Sequence, residues 1–223
     1  MSNSRSAILE RIAHGLADTR DASSRVAVGD RPQEVSARLS GAGRHTLPRL
    51  DKNTTAQLIR NMESVQMSVV RLQRMTEVPQ AVAFWLESEG VDGTVSVAPA
   101  LADLDWSGAD ELTWRSGAAT GDEVASVTPC LAAVAETGSV ALASGDRTPA
   151  TLNFLPENHV VVVRSADIVG HMEDVFTRLR DLPELPRALN LVTGPSRTAD
   201  IEQTIEIGAH GPRRMHVLIV EGD

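Results

Sequence analysis

Two features of this sequence predict an α/β fold built on a largely parallel sheet. Strand-sized runs such as "HVVVV" (159–163), apolar after its histidine, and "VLIV" (217–220) are the mark of strands covered on both faces. Between such runs lie segments whose apolar residues recur at helical spacing, so strands and helices alternate along the chain.

Taken in order, the elements follow from local pattern. In "SAILERIAHGLADTR" (6–20), Ile8, Leu9, Ile12, Ala13 and Leu16 fall at helical spacing and predict an N-terminal helix. The stretch "GDRPQEVSARLSGAGRHTLPRLDKN" (29–53) mixes Gly, Pro, Ser and charge with few large apolar groups and reads as a loop or arm. Residues 23–53 are therefore expected to be mobile or held by a partner. "TAQLIRNMESVQMSVVRLQ" (55–73) opens as a helix, with room for a strand in "MSVVRL". These patterns assign residues 1–76 to an N-terminal helix and flexible arm and 77–223 to the α/β domain.

"EVPQAVAFWLESEG" (77–90) is an amphipathic helix with Pro79 in its first turn and Gly90 after its end. "TVSVAP" and "ELTWR" read as short strands. "VTPCLAAVAETG" (127–138) begins extended, and its alanines predict a helix after Pro129 that stops near Gly138. "SVALAS" is a strand, followed by the loop "GDRTPATLNFLPEN" and the strand "HVVVV". Ile168, Met172, Val175 and Leu179 form one stripe of a further helix. "ALNLVT" reads as a strand, "TGPSR" as a turn, "ADIEQTIEIG" (199–208) as a helix, and "MHVLIV" as the last strand.

Composition narrows the function. The 223 residues carry a formal charge of −9, which argues against a nucleic-acid partner, since phosphate backbones need a basic face. No apolar stretch is long enough to enter and cross a membrane, and the first twenty residues lack the continuous apolar core of a secretory signal, so the cytoplasm is the expected compartment. Cys130 is the single cysteine, too few for an internal disulfide or an iron–sulfur cluster, and it reads as a small buried hydrophobe. The six histidines include no i, i+4 pair, so no metal site is expected, and no dinucleotide or P-loop glycine motif is present. His159, at the mouth of "HVVVV", reads as a packed residue, and Trp85, Trp106 and Trp114 as core.

Three turns carry candidate chemistry. In "TGPSRTAD", Gly194 permits a conformation closed to other residues, Pro195 fixes the next φ, and Ser196 or Thr198 can cap the following helix. Arg197 offers a planar fork for a carboxylate or phosphate, and Asp200 opposes it in the first turn. The turn reads either as an anion site at a helix start or as a capped turn with no ligand. As a strand-to-helix turn it is expected beyond the carboxyl ends of the sheet, where open α/β sheets bind ligands. In "AETGS", Glu136 before Thr137, Gly138 and Ser139 reads as a general base or nucleophile, or as a solvated glutamate at a helix end. In "GAHGPRR", His210 offers acid–base chemistry and Arg213 an anion clamp, with Gly211 and Pro212 shaping the turn; a plain tight turn is the alternative.

Together, "AETGSVALASG" (135–145), "LPENHVVVV" (155–163) and "TGPSRTADIEQTIEIGAHGPRRMHVLIV" (193–220) resemble the LUD-domain family, and within it the lactate-utilisation proteins of the C type. The resemblance implies a three-layer α/β/α fold similar to the sugar-phosphate isomerases and CoA transferases. It also implies iron–sulfur partner subunits that oxidise L-lactate to pyruvate. By motif it assigns Glu136 and His210 as candidate catalytic residues. Thr137, Gly138, Ser139, Gly194, Pro195, Ser196, Arg197, Thr198, Asp200, Gly211 and Arg213 become candidate ligand contacts, for a small anionic ligand.

Two functions follow. The first is an accessory, ligand-binding and non-catalytic subunit of an iron–sulfur lactate-oxidising system, carrying no cofactor of its own. The alternative is a stand-alone enzyme acting on an acyl-CoA or phosphorylated sugar, with Glu136 as base or nucleophile facing the Arg197 turn.

Overall fold

The computed structural model describes residues 8, 10, 11, 47–109, 112–199 and 205–222. The chain divides into two units, Met1–Leu47 and Pro48–Asp223, and the second holds the α/β architecture. Its start corrects the boundary expected at residue 76. Helix α1 (Thr54–Ser64) and strand β1 (Met67–Leu72) belong to the sheet domain, because α1 buries Leu58 and Met62 and β1 pairs with the main sheet. The expected N-terminal helix and the arm up to residue 46 lie outside the described residues, apart from Ile8, Glu10 and Arg11.

Asn53 starts α1 by accepting from Ala56 N at 2.9 Å, filling one of the donors a helix start leaves open. Helix α2 (Val78–Ser88) has Pro79 in its first turn and buries Val78, Val82, Trp85 and Leu86 along one stripe, as its periodicity predicts. Helix α3 (Met172–Arg180) carries Glu173 and Asp174 in its first turn and Arg178 and Arg180 in its last, complementing the helix dipole. It is shorter than the expected stripe, since Ile168–Val169 forms a separate strand.

In chain order the strands are β2 (Val95–Val97), β3 (Trp114–Ser116), β4 (Ala125–Pro129), β5 (Ala132–Val134), β6 (Ser139–Ala143), β7 (Asn158–Arg164), β8 (Ile168–Val169), β9 (Leu189–Val192), β10 (Arg197–Ala199), β11 (Ile205–Ile207) and β12 (Arg214–Val220). The main sheet has order β1-β12-β7-β4-β2-β3, and every pairing in it is parallel. A second sheet, β8-β5-β6-β9, is mixed. The fold is α/β with a large parallel central sheet, as the apolar strands predict.

Both faces of that sheet are covered, which explains its unbroken apolar runs. On one face α2 packs over Val160, Val162, Leu218 and Val220. On the other, Leu58 and Met62 of α1 and the inner residues of the second sheet pack over Val161, Val163, Val217 and Ile219. The second sheet is thus sandwiched in turn, with Val175 of α3 packing on its outer side against Ala132, Val134 and Ala141.

Two expected helices are strands. Residues 132–134 form β5 because Ala132, Ala133 and Val134 are wholly buried between two layers, where small side chains let the sheets approach and tertiary packing overrides alanine's helix preference. In the segment 199–208, the described parts form an antiparallel pair, with Arg197 opposite Ile207 and Ala199 opposite Ile205. Alternation of Ile205, Glu206 and Ile207 is a period of two, which suits a strand.

Candidate functional site

The three motif turns meet, but at the amino ends of the main strands rather than the carboxyl ends. Gly194, at φ +89°, lies so close to the carbonyl of Val65, two residues before β1, that a Cβ would sit 2.5 Å from that oxygen. Ser196 N donates to Pro212 O at 2.9 Å, two residues before β12. Because β9 and β10 make a strand-to-strand turn here, the helix start that would have attracted an anion is absent, which removes half of the expected anion site. Asp200 lies outside the described residues.

Hydroxyls link the first turn to the second. Ser139, which is buried, bonds Thr137 Oγ1 at 2.7 Å and Thr193 Oγ1 at 2.6 Å, joining two exposed threonines across the ends of β6 and β9. Gly138 turns the β5–β6 hairpin at φ +70°, pressed against α1, where a Cβ would sit 2.6 Å from the carbonyl carbon of Asn61. It is a hairpin residue rather than a helix cap. Asn61 seals the contact by donating to Ala135 O at 2.7 Å and Glu136 O at 3.2 Å.

The third turn closes on the first. Gly208 N donates to Ser196 O at 2.9 Å, and the Arg213 side chain packs across Gly208. Arg197 bonds the amide oxygen of Gln66, itself at φ +66°. Arg197, His210 and Arg213 are all exposed, so the knot presents two guanidinium groups and an imidazole on a chain of net charge −9. Pro195 is half-buried beside them, and Gly211 would place a Cβ 3.3 Å from that of Ser196.

Glu136 faces elsewhere. Its Oε1 accepts from Met172 N at 2.8 Å and its Oε2 bonds His171 Nδ1 at 2.7 Å, with side chains 9% and 13% exposed respectively. The carboxylate caps α3 and orients an imidazole, whereas the alternative enzyme reading needs it to face the Arg197 turn. Sequence reasoning missed His171. Its signal was the run His171-Met172-Glu173-Asp174, in which Asp174 accepts from His171 N at 3.0 Å as a helix-start partner.

At the carboxyl ends the structure holds a cleft of about 900 Å³, lined by Pro129, Cys130, Leu131, Ser144, Leu185 and Arg187, among others. Cys130 is half-buried there, and burial together with the Asp167 carboxylate pushes its thiol up, so it is no nucleophile. His159 is packed, as its position predicts: it is 1% exposed, bonded to Thr128 Oγ1 at 2.8 Å, and burial lowers it to about 4. Trp85 stacks on His216 at 4.7 Å between ring centroids and Trp106 tilts against Trp114 at 5.7 Å, placing the tryptophans in the core layer. Among the described residues no group of His, Cys, Asp and Glu is placed to hold a metal, and no helix is long and apolar enough to cross a membrane.

A family model described as the LUD domain matches residues 55–220. The chain is similar to lactate utilization protein C of Geobacillus sp. (strain WCH70), 33% identical over 91 residues, 39% of this chain and 38% of that one. It is also similar to lactate utilization protein C of Bacillus licheniformis, 30% identical over 128 residues, 52% and 53% of the two chains. The matches thus span between about two-fifths and half the length of these curated relatives. In structure the chain is similar to a DUF162 family protein from Deinococcus radiodurans, with a TM-score of 0.55 and 22% identity, covering 78% of this chain and 99% of that one. That likeness concerns the fold alone.

Proposed function

The chain belongs to the LUD domain family, and from that premise we propose that it serves lactate utilisation as an accessory, ligand-binding subunit of an iron–sulfur system that oxidises L-lactate to pyruvate. The observation that carries this reading is the match to relatives named lactate utilization protein C. What supports a binding role is that the three interlocked turns carry the exposed Arg197, His210 and Arg213 together with hydroxyl-bearing Ser196, Thr193 and Thr137, residue types that suit a small carboxylate. Glu136 is engaged as the cap of α3 and the partner of His171, which favours the binding subunit over the stand-alone enzyme. In this reading the protein works in the cytoplasm, carries no cofactor of its own, and depends on iron–sulfur partner subunits for electron transfer.

Deleting the gene tests the role. The strain should fail to grow on L-lactate as sole carbon source, grow normally on pyruvate, and recover lactate growth when the chain is restored. Normal growth of the deletion strain on lactate would remove the proposal. Affinity capture of the tagged chain from lactate-grown cells should recover subunits with iron–sulfur absorbance.

A further inference from the structure

Helix α2 carries more apolar surface than the sheet uses. Its buried stripe of Val78, Val82, Trp85 and Leu86 serves the core, yet Phe84 lies outside that stripe and is 69% exposed. Glu87, three residues on, is its neighbour on the helix surface. The two line a groove of about 730 Å³, whose other side comes from Asp92 and from Gly108 and Leu112 in the connection before β3. Leu86, which is buried, supplies the floor.

The groove has one sign of charge. Among the described residues its charged members are Glu87 and Asp92, no Lys or Arg lines it, and neither carboxylate has a partner. Arg214, the cation beside the end of α2, pairs with Glu89 at 3.1 Å instead. Two carboxylates beside an open aromatic ring are the complement of a guanidinium, which stacks on a ring face while its fork meets an acid. An anionic ligand is disfavoured by the same two charges.

Gly108 adds an observation independent of charge. Its φ is not positive, and a Cβ built on it would meet nothing within 4 Å, so neither backbone conformation nor internal packing calls for glycine. Gly93, on the same groove, differs: at φ +143° its Cβ would sit 2.6 Å from Val124 Cγ1, which makes it an ordinary packing glycine. A bare backbone facing an open groove suits the close approach of another chain.

We propose that this groove docks a basic segment of a protein partner. One arginine of the segment stacks on Phe84 and pairs with Glu87 and Asp92, an apolar residue covers Leu86 and Leu112, and the backbone passes Gly108. The inference goes beyond the lactate role and needs no ligand at the knot of turns. A second copy is the poorer occupant, because a chain of net charge −9 repels itself.

Magnetic-resonance titration of the isotope-labelled full chain provides the test. The probe is an end-blocked pentapeptide alternating arginine and leucine, set against the same peptide with glutamate for arginine. The arginine peptide should move the amide resonances of Phe84, Glu87, Asp92 and Gly108 to saturation, and the glutamate peptide should leave them still. Shifts centred elsewhere, no shifts, or an equal response to both peptides overturn the proposal. Glu87→Gln combined with Asp92→Asn should weaken binding about fivefold, the worth of two exposed charge pairs, with the melting temperature unchanged. Gly108→Ala adds one methyl to open space and should weaken binding as well, again with an unchanged melt; unchanged affinity in either variant overturns the proposal. Arginine amide binding as tightly as the peptide assigns the groove to a small organic cation and overturns it too. In cells, a photoreactive phenylalanine analogue in place of Gln80, which lines the groove, should cross-link to an arginine-bearing peptide of another protein. That adduct should vanish in the Glu87→Gln, Asp92→Asn chain. A cross-link to this chain itself, to a peptide without a basic residue, or to nothing overturns the proposal.

Discussion

The two ends of the parallel sheet differ in kind. The carboxyl end is open, with a cleft of about 900 Å³ whose walls mix apolar side chains with Asp146, Glu184 and Arg187 and hold an inert thiol. At the amino end the packing is tight: Gly138 and Gly194 touch backbone directly, a buried serine joins two threonines, and three turns interlock, two of them bearing arginine or histidine. Topology alone favours the carboxyl end for ligands, yet the three motif turns singled out in the sequence concentrate at the other. The difference teaches that a motif glycine can mark close packing between layers, and that such packing, rather than an open cleft, is what orients the polar groups around it.

The largest effect that would sharpen this contrast is expected at Gly138. Gly138→Ala meets the α1 backbone and a φ of +70°, and should destabilise the fold by roughly 3 kcal/mol or more. A thermal melt close to wild type would show that the amino end is looser than described. Next comes pH. Burial lowers His159 and His216 to about 4 in the folded state, below the roughly 6.5 of an unfolded chain. The unfolded state then binds more protons below pH about 6.5, so stability should fall between there and about pH 4 and level off beneath it. Each histidine contributes on the order of 3 kcal/mol to that loss. Denaturant melts across this range check it, and His159→Gln should remove part of the slope.

Smaller effects follow. Glu136→Ala removes the acceptor of Met172 N and the partner of His171, and should lower stability by about 1–2 kcal/mol while α3 frays; hydrogen exchange along 172–180 reads it. Arg197→Ala, at an exposed position, should leave the melting temperature nearly unchanged and weaken lactate binding several-fold. The smallest expected effect lies at the other end. Leu185→Glu adds a charge of lactate's own sign to the carboxyl-end cleft, which Leu185 lines at 71% exposure, and lactate affinity should not change. A clear loss of affinity there would move the ligand to the carboxyl end.

The strands β7 and β12 and helix α2 were legible because their patterns record burial directly: apolar on both faces, or along one stripe. Strand β5 was not, since alanines buried between two layers look the same in sequence as alanines in a helix. The turn at 193–196 was recognised as a turn, but its direction depends on β10 pairing with β11, a contact local pattern did not weigh. In the site, Glu136 stood out by motif, while His171 and His159 gained their meaning only from partners far along the chain, Glu136 and Thr128. Polar Ser126 and Thr128 read as ordinary strand residues until the register set them beside His159.

Strand β1 pairs only with β12 in the main sheet, and the Ser68–His216 bond spans 148 residues of chain. During synthesis β1 emerges long before its partner exists, so at ordinary elongation rates it waits for seconds with its hydrogen-bonding edge unpaired. The closing of the sheet is therefore a late, non-local event, of the kind that slows folding and invites capture by chaperones or by other nascent chains.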